Sequence, residues 1–182
     1  MRLSLFRHDA GASVEGPNRI VYDIAADAAH GAPAQVEDRA LVWELAPEGA
    51  PEPDGALLSA EVDLDPATDW LMRGDRVDFD PGGIAYRHTH PGPGIRCLLF
   101  GEITIDAEGA RHTYGPGEPW FERGPDPVLA TTSPAEPSAF ARVLLLPVEY
   151  AGKRTIRYVD PGDADKPKTQ RARIFLEQPI ER

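Results

Sequence analysis

His88-Thr89-His90-Pro91-Gly92-Pro93-Gly94 is the stretch that decides how this chain reads. Two histidines one residue apart share a side only on a β-strand, where side chains repeat with period two. On a helix the same spacing splays them by roughly 200°, because a helix turns once in 3.6 residues. The flanks supply the strand. Asp78-Phe79-Asp80 ends one strand, Pro81-Gly82-Gly83 turns, and Ile84-Ala85-Tyr86-Arg87 leads into the pair. Past the loop, residues 95–105 read as the next strand. Paired imidazoles on one strand face are the first half of a metal site.

Working outward, the chain predicts short strands separated by turns. Residues 70–80 form a strand with a break near Gly74. Asp106-Ala107-Glu108-Gly109 turns, and Arg111-His112-Thr113-Tyr114 returns as the second arm of a hairpin. Residues 127–131 are a short strand, 133–138 a polar turn, and Phe140 opens a last long strand ending at Val148. Upstream, residues 40–45 and 57–64 are strand candidates around a Pro- and Gly-rich loop. Residues 1–38 carry weaker signals: short edge strands at 4–6 and 19–22, and one or two alanine-rich helical turns at 23–30. After Tyr150 the texture changes. Residues 160–168 are a loop, and 173–177 a strand that docks on the core or pairs across a dimer. High proline (19) and glycine (17) suit an all-β sandwich or barrel.

This outline resembles the cupin superfamily. Gly82 or Gly83 opens the first cupin motif, His88 and His90 are its histidine pair, and Gly101 closes it. Residues 117–128 (Gly-Glu-Pro-Trp-Phe-Glu-Arg-Gly-Pro-Asp-Pro-Val) follow the second motif. Two departures matter. Gly94 stands where the family's metal-binding Glu belongs, and Val128 where its second-motif His belongs. The resemblance covers about residues 70–147. It implies a single cupin domain over residues 1–182. That domain is a jelly-roll β-barrel with its core at about 57–148, an N-terminal extension (1–56) and a C-terminal tail (149–182). It also implies a divalent ion (Fe, Mn, Ni or Zn) and a homodimer.

With two usual ligands missing, His88, His90 and Glu122 are the candidate metal set, since carboxylate oxygen and imidazole together suit such ions. Other readings of Glu122 stand beside this one: a rim carboxylate paired with an arginine, or a general acid/base. Arg96 shares strand parity with Gly94 and faces inward. A buried guanidinium needs a partner, either Glu122 or the carboxylate of a substrate held bidentately. Tyr86, two before His88, shares its face and is a candidate catalytic hydroxyl or a core aromatic. Trp120 lines the cavity or packs, and Arg142 reaches the barrel mouth as a further substrate contact. Cys97, the lone cysteine, reads as a buried structural thiol and rules out an intrachain disulfide. His112 faces solvent, and His8 and His30 receive no role.

The formal charge of −11 over 182 residues argues against nucleic acid or an anionic membrane surface, which need clustered Lys and Arg. No apolar run approaches the ~20 residues of a membrane span. The N-terminal residues lack the apolar core of a signal peptide, so the cytoplasm is the expected location. Phosphate-binding Gly loops, dinucleotide fingerprints and nucleophile elbows are missing from the sequence.

Two functional readings follow. One is a metal-dependent cupin enzyme, of dioxygenase, isomerase or lyase type, acting on a small carboxylate-bearing or enolisable molecule. The other is a non-catalytic small-ligand binding or sensor module without metal. Three or more ligand atoms converging near His88 and His90 favour the first. An Arg96–Glu122 ion pair filling the cavity favours the second. A structural dimer scaffold with a plugged barrel is a third.

Overall fold

The structure, a computed structural model, describes residues 1–181. It is built almost wholly of strands. The first 61 residues hold β1 (Arg2–His8), β2 (Ala12–Val14), β3 (Arg19–Asp23), β4 (Ala28–Gly31), β5 (Ala34–Val36), β6 (Ala40–Ala46) and β7 (Leu58–Glu61). Then come β8 (Trp70–Phe79), β9 (Ile84–Thr89), β10 (Gly94–Phe100), β11 (Ile103–Ala107), β12 (Ala110–Tyr114), β13 (Pro119–Glu122), β14 (Val128–Thr132) and β15 (Ser138–Pro147). The C-terminal segment adds β16 (Arg157–Tyr158) and β17 (Gln170–Pro179), with short 3-10 turns at Val148–Tyr150 and Pro161–Asp165.

Strands β8 to β15 form a jelly roll. One sheet runs β13-β10-β15-β8 and the facing sheet β12-β11-β14-β9, with antiparallel neighbours throughout. That is the strand exchange of two interlocked Greek keys. The C-terminal segment extends both sheets at the same end: β17 pairs with β8, and β16 with β9.

Three sequence expectations change. Residues 95–105 are two strands in different sheets. Gly101, at φ +80, turns the corner between β10 and β11; there its Cβ would meet the Pro137 carbonyl at 2.5 Å. Strand β8 runs unbroken through Gly74, and the irregularity falls opposite it in β17, between Ile174 and Leu176. A Cβ on Gly74 would touch Ile20 Cγ2 at 3.2 Å, so this glycine admits the N-terminal sheet. Residues 23–30 form a turn and β4 rather than a helix.

The N-terminal segment is a five-stranded sheet, β4-β3-β6-β1-β7, and residues 58–61 belong to it rather than to the barrel. It covers the outer face of the β8-β15-β10 sheet. Leu3, Leu5, Ile20, Tyr22, Trp43 and Leu45 share one buried cluster with Met72, Ile95, Cys97, Ala141, Val143 and Leu145. Trp43 Nε1 donates to the Ile95 carbonyl at 3.1 Å across that interface. Covered on both faces, β15 is buried from Ser138 to Leu146. A doubly buried strand reads as a near-continuous apolar run, and here only Arg142 interrupts that run. Among the described residues, no helix is long and apolar enough to cross a membrane.

Candidate functional site

His88 and His90 point between the two sheets, each 4% exposed. Their Nε2 atoms lie 3.2 Å apart with the rings edge-on at 85°. The proton positions follow from the partners. His88 Nδ1 sits 2.7 Å from the Tyr86 carbonyl. A carbonyl only accepts, so Nδ1 carries the proton and Nε2 accepts. His90 Nε2–H then donates to His88 Nε2, and His90 Nδ1 accepts from the Thr155 hydroxyl at 3.2 Å. Thr155–His90–His88–Tyr86 is thus a continuous chain in which both neutral rings are satisfied. Burial pushes both imidazoles below their ordinary pKa, His90 strongly, and for His90 the positive charges of Arg142 and Arg96 add to burial.

Both carboxylate oxygens of Glu122 are engaged. Its Oε2 lies 2.6 Å from Arg96 Nη2, and its Oε1 accepts from Trp120 Nε1 at 2.8 Å. Arg96 is 0% exposed. Its Nη1 donates to its own strand at the Gly94 carbonyl, 2.6 Å away. Nε has no hydrogen-bond partner among the described residues, and the Nη2 contact is a close ion pair rather than an aligned hydrogen bond. Burial lowers the Arg96 pKa to about 10, which still leaves it charged at neutral pH. Beside it, Arg142 holds Asp75 through Nε at 2.6 Å and Nη2 at 3.1 Å. Both ion pairs join neighbouring strands of one sheet, β10 to β13 and β15 to β8.

Beside these groups is a partly open chamber of about 50 Å³, lined by apolar Phe79, Ala85, Trp120, Ala130 and Phe140 and by polar His88, His90, Glu122, Arg142 and Gln170. It continues past Arg142, Ile156, Gln170 and Ala172 into a groove of about 370 Å³ beneath the C-terminal segment.

The structure thus brings His88, His90, Glu122, Trp120 and Arg142 together around one chamber. Arg96 lines neither cavity, being spent on Glu122. Tyr86 is turned away. The β9–β14 ladder shifts register between Val128 and Ala130, and both Ala85 and His88 face inward although they are three residues apart. Such a bulge reverses side-chain parity. The Tyr86 ring instead packs against the Lys166 ammonium, 4.6 Å from the ring centroid. Sequence reasoning did not find Asp75, Thr155, Ile156 or Gln170. Asp75 carried a signal, alternating with Val77 and Phe79 on β8, while the others arrive from the C-terminal segment with none.

The expected metal set does not assemble. Two imidazole nitrogens 3.2 Å apart match adjacent ligands at the usual ~2.1 Å. But His90 Nε2 is a donor in the chain above. Glu122 Oε2 lies 4.0 Å from it and is neutralised by Arg96. The positive charges of Arg142 and Arg96 also act on His90. Val128 is buried in the apolar cluster. At Gly94 a Cβ would lie 2.3 Å from the Val143 carbonyl and 2.8 Å from Leu144 Cδ2, so no larger residue fits there. This glycine makes room for β15, not for the Arg96 guanidinium or a ligand. Among the described residues, no group of three His, Cys, Asp or Glu is arranged to hold a metal ion.

No protein-family model matches the chain, and no curated protein matches it. Solved structures with partial likeness include a Cupin 2 conserved barrel domain protein from Salinispora arenicola (TM-score 0.36, 19% identity, 40% of this chain and 61% of that one). Others are the polyketide cyclase RemF from Streptomyces resistomycificus (0.40, 21%, 53% and 64%) and an oxalate oxidase in complex with glycolate (0.42, 18%, 53% and 52%). The chain spans less than two thirds of the length of each of these three. On its own strand order, the chain is an all-β protein with a jelly-roll fold.

Proposed function

We propose that this protein binds a small organic molecule in the chamber beside His88 and His90, using its own side chains and no resident metal ion. The observation that supports this most directly is the capture of Glu122 by Arg96 and Trp120. It removes the third ligand and leaves the two histidines hydrogen-bonded as neutral groups. Small-molecule sites are concave, mostly apolar and carry a few fixed polar groups. The chamber fits that description, with aromatic and aliphatic walls and with His88, His90 and Arg142 also lining it.

Two measurements on the untagged protein test the reading. Metal analysis after reconstitution with Fe, Mn, Ni or Zn and gel filtration is expected to find far less than one ion per chain. One ion per chain that disappears in His88→Ala/His90→Ala overturns the metal-free assignment. A thermal-shift screen of small acids, alcohols and sugars is expected to find compounds that stabilise the wild type but not Ala130→Leu, which fills the chamber. A screen in which nothing separates the two proteins overturns the binding assignment.

A further inference from the structure

We infer that the ligand is a small carboxylate with a hydrogen-bond donor and a short apolar end, a hydroxy acid in the simplest case, entering through the groove beneath the C-terminal segment. The inference rests on the chamber-binding reading above and names its ligand class.

The first observation is charge. The groove is lined by five cationic residues, Arg73, Arg142, Lys153, Arg154 and Lys168, against one acid, Asp75. The chain as a whole carries −11, so this local sign opposes the background. A cleft lined by one sign of charge focuses its field and concentrates counter-ions. Several of these charges are not cancelled. Lys153 has no ion pair among the described residues. Among the described residues, Arg154 donates only to the neutral Tyr158 hydroxyl, at 2.9 Å. The Lys168 ammonium is held by the carbonyls of Asp163, Ala164 and Lys166, which fix its position and leave its charge.

The second observation is at the neck, where groove meets chamber. Arg142 spends Nε and Nη2 on Asp75. Its Nη1 has no partner among the described residues, and Arg142 lines both cavities. Gln170 lines both as well, and its Oε1 is a buried acceptor with no donor among the described residues. An orphaned acceptor and a guanidinium N–H without a partner among the described residues, on two residues that line the same two cavities, ask for a ligand that donates to one and accepts from the other. A carboxylate with a nearby hydroxyl does both, and buried polar groups are rarely left unpaired.

The third observation is the chamber itself. Its volume of about 50 Å³ and its walls of Phe79, Ala130 and Phe140 admit a short apolar end. At 10–15 Å³ per water-sized probe, about three to five waters would fill it. Inorganic phosphate satisfies the charge but leaves these walls dry and unused.

Calorimetric titration of the full chain with 3-hydroxybutyrate, butyrate, 3-hydroxybutyramide and inorganic phosphate tests the inference. The hydroxy acid is expected to bind tightest. Loss of the charge in the amide weakens binding about tenfold or more, as charge-assisted hydrogen bonds do. Both Lys153 and Arg154 are exposed, so Lys153→Glu/Arg154→Glu is expected to keep the wild-type melting temperature and weaken the hydroxy acid about tenfold. Added salt weakens the acid and not the amide. Equal binding of acid and amide overturns the anion assignment and leaves the chamber reading standing. Phosphate binding as tight as the hydroxy acid overturns the carboxylate assignment. Butyrate equal to 3-hydroxybutyrate overturns the role of Gln170. If none of the four binds while the thermal-shift screen yields a neutral chamber ligand, the inference fails alone. If the screen is also empty, the chamber reading fails with it.

Discussion

Arg96 Nη2 and Glu122 Oε2 stand 2.6 Å apart inside the barrel, with the arginine wholly shielded from solvent and the glutamate largely so. A buried pair of this kind adds little net stability over an apolar pair, because desolvation offsets the attraction. Losing one partner is different, since the remaining charge is then buried alone. Arg96→Met is expected to cost about 3–5 kcal/mol, and Arg96→Met/Glu122→Leu to recover most of that. Urea titrations arranged as a double-mutant cycle measure the coupling. A double variant no more stable than Arg96→Met would show that the pair does not hold the two side chains as described.

The histidine chain makes stability depend on pH. Burial lowers both imidazole pKa values in the folded state relative to about 6.5 in the unfolded chain. Below 6.5 the unfolded state therefore binds more protons, and stability rises with pH. The two histidines contribute fully above about 6.5, and the contribution is lost as pH falls toward their folded values. Denaturation midpoints at pH 7.5 and pH 5 are expected to differ more for the wild type than for His90→Gln. Equal pH dependence in the two proteins would mean that His90 is not held neutral.

Placing at position 94 the acidic residue that the cupin resemblance leads one to expect should fail. A Cβ there overlaps the Val143 carbonyl on the paired strand β15, a backbone atom that cannot swing aside. Gly94→Glu should lower the melting temperature steeply or abolish folding, and Gly94→Ala should already destabilise. Circular dichroism melts decide this. A stable Gly94→Glu protein that acquires a tightly bound metal would contradict the account of the site.

Cys97 reports on the N-terminal sheet. Its thiol is 1% exposed, and burial pushes its pKa up to about 12. Thiol reagents should label it only when that sheet detaches. Trp43→Ala removes a buried indole and its bond to the Ile95 carbonyl. A loss of about 3–5 kcal/mol is expected, with faster Cys97 labelling under native conditions. Labelling of the wild type at the rate of a free thiol would mean the sheet is not seated on the barrel.

The jelly roll was legible because its evidence is local. Strand alternation, the turns at 81–83 and 106–109, and the His-x-His spacing each need only a few neighbouring residues. The Arg96–Glu122 pair was legible as an alternative through strand parity. Tyr86 was misplaced because a bulge shifts parity without a sequence mark. The N-terminal region was faint because β2 and β5, which pair with each other apart from the five-stranded sheet, and β4 within it are only three or four residues long, and much of the apolar face of that sheet answers a distant one. Thr155 and Gln170 could not be placed, since their positions depend on how β16 and β17 dock.

The two edge strands of the C-terminal segment carry a kinetic and thermodynamic consequence. Arg73, in the groove wall, pairs with Glu177, 104 residues away in sequence, and the terminal regions are tied by Asn18 to Glu181 across 163. Contacts so distant form late and slowly in folding, because loop closure must precede them. Gln170, Ala172 and Ile174 of β17 line that groove, so by mass action a bound occupant would favour the folded chain, holding in place the strand that completes the sheet.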